Sequence, residues 1–246
     1  MDTDQSAMIR ELAPTGRLRA ALNFGNKVLA QRADDGSAKG ITPALAKELG
    51  KRLGLDVDFV PHERAEAVFD SCKTGVWDIC FLASDPSRAT EIGFSAPYVT
   101  IAGVYVVAEG SSFADVQSVD QPGVRIGVSQ GSAYDLFLTR EIKQAELMRV
   151  TGANAIPSLL IDGKADLAAG IQQPMEEFVA ATPGYRMIPE PFMEITQAMG
   201  VPASRTLAAE YLRRFVEEVK SSGFVRDVLD RNGQSDVAVA RPVAVA

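Results

Sequence analysis

Cysteine, histidine and tryptophan are scarce in this chain of 246 residues, which holds two, one and one of them. Cys72 and Cys80 make no disulfide framework. They fall on an expected helix and the strand after it, and read as small buried apolar groups. One histidine, His62, with no Cys/His cluster leaves zinc without a ligand set, and no metal or cofactor is expected. Clusters of basic residues are absent as well. With 25 Lys and Arg against 32 Asp and Glu the formal charge is −7, which argues against broad binding to nucleic acid or to anionic membranes. No apolar run approaches the ~20 residues of a membrane span, so membrane insertion is not expected. The start, Met1-Asp-Thr-Asp-Gln-Ser-Ala-Met8, lacks a basic stretch followed by an apolar core. The expected location is cytoplasmic as the chain stands, and periplasmic if a leader has been removed.

What is present is the mix of a globular protein, 46% hydrophobic and 23% charged, long enough for one large domain or two small ones. A helix is expected at Asp4–Leu12 and a strand at Leu18–Leu22, running into Asn23-Phe24-Gly25-Asn26, where Gly and Asn permit an irregular backbone. A polar turn follows at Asp34–Gly36. Thr42-Pro43 opens a helix with Leu45, Leu49 and Leu53 at helical spacing, stopped by Gly54. Leu55–Val60 alternates as a half-buried strand, Glu63–Thr74 is a helix ended by Gly75, and Trp77–Leu82 is a short apolar strand. This β-α-β-α-β order is that of a parallel α/β sheet. Ser84–Arg88 is then a loop leading to a short helix at Ala89–Ile92, Phe94–Tyr98 a proline-containing turn, and Val99–Ala108 a long strand able to leave one lobe for another.

The pattern repeats on a smaller scale. Strands are expected at Gly123–Val128, Leu147–Val150, Ala165–Gly170 and Tyr185–Ile188. Helices are expected at Ala133–Arg140, Asn154–Gly163 and Gln173–Thr182. Gln197–Val201 reads as a returning strand, Ala203–Ser222 as an amphipathic helix, Phe224–Asn232 as a shorter one, and Gln234–Ala246 as a loose or partly extended tail.

Gly75-x-x-Asp78, Asp85-Pro-Ser-Arg88, Phe94-Ser-Ala-Pro-Tyr98 and Gly127-Val-Ser-Gln-Gly-Ser132, in that order and spacing, resemble family 3 bacterial solute-binding proteins, the amino-acid receptors of ABC importers. The resemblance runs from about Leu18 to Gly233. It implies an α/β, two-lobed fold of the type 2 periplasmic-binding-protein kind, with two hinge strands and an interlobe cleft. The lobes are expected at 1–106 with 196–246 as the return, and at 107–195 as the inserted lobe. The resemblance puts Arg88 where the family pairs an arginine with the ligand carboxylate, a task that suits a planar guanidinium. It also puts Gly131, Ser132 and Ala133 at a helix N-terminus that favours an anion. Ser132 equally suits a helix cap.

The pattern departs from the family's in three places. Where many members carry an Asp for the ligand ammonium, this chain has Gln172 and Gln173, and a neutral amide compensates a buried ammonium poorly. The loop from Asp78 to Arg88 is short, with Asp85 where Thr is usual, beside Ala83 and Ser84. The aromatic wall after the first strand is reduced to Phe24, flanked by Asn23 and Asn26. The expected function is a non-enzymatic capture of a small carboxylate or amino-acid-like ligand, with an ABC importer permease as partner only if the protein is exported. Two alternatives stand beside it: a cytoplasmic sensor or carrier on the same fold, and an enzyme like the dehydratases of prephenate or arogenate, for which Asp85 and Glu194 are the candidate acids and His62 is remote.

Overall fold

The computed structural model describes residues 3–243. It divides the chain into two units, the first running to Thr100 and resuming at Thr196, the second spanning Ile101–Ile195. The first boundary thus precedes the 106/107 division expected from sequence. Both boundaries fall inside strands, so the chain passes from unit to unit in extended conformation.

In the first unit α1 (Thr3–Leu12) leads to β1 (Leu18–Asn23), a small hairpin of β2 (Gln31–Arg32) and β3 (Ala38–Lys39), α2 (Ile41–Leu53), β4 (Val57–His62), α3 (Ala65–Asp70) and β5 (Ile79–Ala83). A 3₁₀ turn at Arg88–Thr90 precedes β6 (Ile92–Ala108), which carries the chain out. β1 is parallel to both β4 and β5. The core on one side of this sheet gathers Ala21, Val68, Cys72, Trp77, Cys80, Leu82 and Ile92. Both cysteines are free and buried there, as their apolar setting requires.

The second unit contains β7 (Arg125–Ser129), α4 (Ala133–Glu141), β8 (Glu146–Val150), α5 (Ile156–Ile161), β9 (Leu167–Ile171), α6 (Gln172–Ala181) and β10 (Tyr185–Met187). β7 is parallel to β8 and β9, while β9 and β10 run antiparallel to the outgoing half of β6. β11 (Met193–Pro202) returns the chain, and α7 (Thr206–Ser221), α8 (Phe224–Arg231) and β12 (Ala238–Val239) complete the first unit. There β11 lies antiparallel to β5, with Gln197 opposite Ala83.

Several expectations are corrected by local chemistry. The strand expected at Leu55 begins at Val57 because Leu55 donates its N–H to the Gly50 carbonyl and finishes the end of α2, where Gly54 takes φ 67°. α2 starts at Ile41 after Gly40, not at a Thr42 cap; the Thr42 hydroxyl donates to Leu29 O. The polar turn at Asp34–Gly36 is the tip of the β2–β3 hairpin. Phe94–Tyr98 is no turn but part of the 17-residue strand β6: proline tolerates an extended backbone and needs no donor partner, and Lys220 Nζ caps the Pro97 carbonyl at 3.0 Å. The helix expected at Ala89–Ile92 is only the 3₁₀ turn, since Ile92 already belongs to β6. In the tail, Ala238 and Val239 pair with Thr100 and Val99 of β6; residues 244–246 of that expectation lie outside the described residues.

Candidate functional site

In parallel α/β sheets the carboxyl ends of the strands are where ligands bind, because the following helices present their amino ends there. In the first unit that edge carries Asn23 at the end of β1, His62 at the end of β4, and Ala83 at the end of β5. The register places Asn23 opposite His62, so His62 belongs to this edge and is not remote from it.

Arg88 is the outstanding group of the first unit. It is 2% exposed, and its Nη1 donates to the Ala83 carbonyl at 3.0 Å. Burial lowers the guanidinium pKa from its ordinary value, and the charge of Asp85 acts in the opposite direction. A cation removed from water in this way gains from an anion that reaches it. Asp85 is itself buried. Its carboxylate accepts the Ser87 N–H at 2.9 Å and the Ser87 hydroxyl at 2.6 Å, and its carbonyl accepts the N–H groups of Arg88 and Ala89. The short loop is therefore wound on Asp85, and this winding sets the backbone from which Arg88 turns back to Ala83. Ser84, next in the chain, is exposed and tied to the Thr196 hydroxyl at 2.8 Å.

The two asparagines at and after the end of β1 serve their own turns. Asn23 Oδ1 accepts the Gly25 N–H at 3.0 Å, and Asn26 Oδ1 accepts the Val28 N–H at 3.2 Å. Gly25 is required here, because a Cβ would stand 2.3 Å from the Glu63 carbonyl oxygen. Phe24 is half-buried, and its ring lies 4.1 Å beneath the Arg32 guanidinium, which also bonds Glu63 at 2.6 Å.

In the second unit the corresponding edge follows β7. Gly131 takes φ 66°, and Ser132 caps α4, its Oγ accepting the Asp135 N–H at 3.1 Å. Ala133 is the first helical residue. The buried Asp135 carboxylate accepts the Gly131 N–H at 2.9 Å and Arg149 Nε at 2.9 Å. The positive end of α4 thus already faces an anion of its own chain, and the cap reading of Ser132 is realised. At the end of β9, Gln172 donates to Glu176 at 2.6 Å, one turn further along α6, and Gln173 is half-buried in the same first turn.

Sequence reasoning passed over Gln197, which it used only to mark the start of a strand. The residue is 5% exposed and lies opposite Ala83. The available signal was a polar side chain heading the otherwise apolar run Ala198-Met-Gly-Val201.

Residues 26–234 match the family of bacterial extracellular solute-binding proteins, family 3. The chain belongs to that family. Among proteins of known role it is 23% identical over 243 residues to a cyclohexadienyl dehydratase of Pseudomonas aeruginosa, spanning 92% of this chain and 86% of that protein. Its fold resembles that of a cysteine-binding protein from Campylobacter jejuni, with a TM-score of 0.78, 18% identity, and coverage of 96% of this chain and 99% of the other. It also resembles an ancestral amino acid-binding protein, AncCDT-1, described as a precursor of cyclohexadienyl dehydratase, with a TM-score of 0.74, 19% identity, and coverage of 94% and 99%. The fold is thus the α/β architecture of the two-lobed periplasmic binding proteins, and solute binding is the family's function.

Proposed function

We propose that this solute-binding protein captures a small carboxylate, an amino acid or close analogue, without transforming it, and that Arg88 holds the carboxylate. The observation carrying this reading is a guanidinium only 2% exposed and held by its Nη1 on the Ala83 carbonyl at the end of β5, where parallel-sheet proteins place ligands. Bidentate pairing with a carboxylate offsets the desolvation that burial imposes. Relatives named for cysteine and for L-cystine binding support the ligand class. Calorimetry with a panel of amino acids and their 2-hydroxy and 2-oxo counterparts tests it against wild type, Arg88→Lys and Arg88→Ala. Binding should fall at least tenfold in Arg88→Ala, with partial recovery in Arg88→Lys. Equal binding by all three removes Arg88 from the role.

The relative named as a dehydratase supports a second reading, an enzyme. Such chemistry needs a carboxyl group poised to give or take a proton at the substrate. Asp85 spends its Oδ1 on Ser87, and Glu194 is exposed on β11 of the second unit, so binding alone is the better-supported function. Incubating the purified protein with prephenate or arogenate, with chromatography of the products, should show no turnover. An importer as partner requires export. Recovery of the natural gene product in the cytoplasmic fraction would make the protein a sensor or carrier instead.

A further inference from the structure

Gln197 is a buried polar residue whose amide makes no hydrogen bond among the described residues, and it is not one of the sealed polar atoms that lack a partner. The little surface it retains therefore includes its amide. In so small an opening the amide has only water to bond, and a solute that covers it must supply a partner or leave it unpaired at a cost. Ser84 N–H donates to the Thr196 carbonyl at 2.9 Å, which makes Ala83 and Gln197 the next, non-hydrogen-bonded pair of the β5–β11 ladder. In such pairs the facing side chains stand closer, and alanine leaves room for a long neighbour. The Ala83 carbonyl, outside that ladder, is the one that Arg88 Nη1 holds at 3.0 Å. Ala83 thus has Gln197 across the ladder and the Arg88 guanidinium at its carbonyl.

We infer that Gln197 is a solute contact of the first unit, reading an uncharged hydrogen-bonding group carried beside the carboxylate that Arg88 holds. The inference rests on the carboxylate reading of Arg88. An amide offers one acceptor and two donors, so it accommodates a hydroxyl, keto or carboxamide group, and it discriminates against a solute lacking one, because the amide then stays unpaired.

The test compares pairs of acids differing in one group, a 2-hydroxy or 2-oxo acid and its unsubstituted parent, by calorimetry on wild type, Arg88→Ala, Gln197→Met and Gln197→Glu. Methionine keeps the shape and apolar stem, and thermal unfolding of each variant reports whether the fold is intact. Gln197→Met should weaken the substituted acid roughly five- to tenfold, the worth of a hydrogen bond, and leave the parent acid unchanged. Gln197→Glu should weaken both, by placing a second negative charge near the guanidinium. Binding that depends on Arg88 but is indifferent to Gln197→Met overturns this inference and leaves the carboxylate reading standing. A Gln197→Met loss equal for substituted acid and parent also overturns it, since the residue would then only support the fold of the site. Failure of every acid to bind wild type, or binding indifferent to Arg88→Ala, overturns the carboxylate reading and the inference with it.

Discussion

Replacing Asp78 by Asn should unfold the first unit at a markedly lower temperature. Asp78 is fully buried. Its carboxylate accepts the Arg19 N–H at 3.1 Å, Arg19 Nε at 2.9 Å, Arg19 Nη2 at 2.8 Å and Arg205 Nη1 at 3.0 Å. Arg205 Nη1 also donates to the Glu11 carbonyl, and the Glu11 carboxylate accepts the Ala208 N–H in the first turn of α7. One carboxylate therefore ties β1 to the start of β5, and its partner Arg205 ties both to α1 and α7. Asparagine keeps the size but loses the charge, and its amide N–H₂ faces guanidinium donors. Breaking a buried ion pair from one side costs ~3–5 kcal/mol. Here the two arginine side chains keep 24% and 19% of their exposure, so water recovers part of the loss and about 2–4 kcal/mol remains. At roughly 2–4 °C per kcal/mol for a chain of this size, the midpoint should fall by on the order of 10 °C. Scanning calorimetry measures it, with Asp58→Asn as the control, because Asp58 pairs with Arg17 in the open and its loss should leave the midpoint in place. A midpoint in Asp78→Asn within a degree or two of wild type would show that the network is incidental and refute the reasoning.

The only histidine supplies a second prediction, in pH. The Ser71 hydroxyl donates to Val68 O and so accepts from Trp77 Nε1 and His62 Nε2, which leaves Nδ1 as the unprotonated nitrogen, sealed and without a partner among the described residues. Burial lowers the His62 pKa below 6.5, against the opposing charge of Glu63. A lowered folded value means that the unfolded chain takes the proton more readily. The contribution is complete above about pH 6.5 and is lost as pH falls toward the folded value. The single imidazole proton resonance should titrate below 6.5, and His62→Gln should remove this acid-side slope; titration at or above 6.5 would contradict the burial argument. A third prediction concerns Asp85→Asn, which keeps the Oδ1 that Ser87 needs while removing a charge that acts on Arg88. Affinity for simple carboxylates should rise severalfold by calorimetry, and a selective loss for α-amino acids would instead make Asp85 the partner of an ammonium.

Glycine marked the ends of the elements legibly. Gly54, Gly75, Gly131 and Gly163 each take a positive φ where the pattern of residues breaks, and a left-handed backbone is what glycine alone adopts cheaply. Strand beginnings were less legible, because a strand's first apolar residue can be claimed by what precedes it. Leu55 closes α2, and Asp78 N–H bonds the Arg19 carbonyl before β5 is counted. Gly75-x-x-Asp78 was readable as a motif, but its reason is spatial: the Gly75 carbonyl accepts Arg19 Nη1 at 2.7 Å while Asp78 accepts the rest of that guanidinium. Those partners are 56 and 59 residues away in the chain, beyond any local pattern. Gln197 was missed for the same reason, since its pairing with Ala83 joins strands more than a hundred residues apart. The tail's pairing with Val99 and Thr100 had no local signal at all.

The two anion grips expected from sequence differ in their electrostatic surroundings. At the α4 turn, the Gly131 N–H is given to Asp135, the Ser132 N–H to the Ser129 carbonyl, and the Ser132 hydroxyl is taken by the Asp135 N–H. Asp135 in turn holds Arg149. A solute carboxylate arriving there meets a charge of its own sign, with the helix dipole already engaged by a carboxylate fixed one turn away. Arg88 is placed differently, buried and with its Nη1 on the Ala83 carbonyl. Its charge is disfavoured by burial and supported electrostatically by Asp85, so a second anion relieves a cost that the fold imposes, in a medium where each charge contact counts for more than in water. On the proposed reading, the carboxylate is therefore held by Arg88 and not by the α4 turn. At the α4 turn the Asp135 carboxylate joins the Gly131 N–H to Arg149, and the Asp135 N–H fixes the Ser132 hydroxyl, so this turn is held by its own chain.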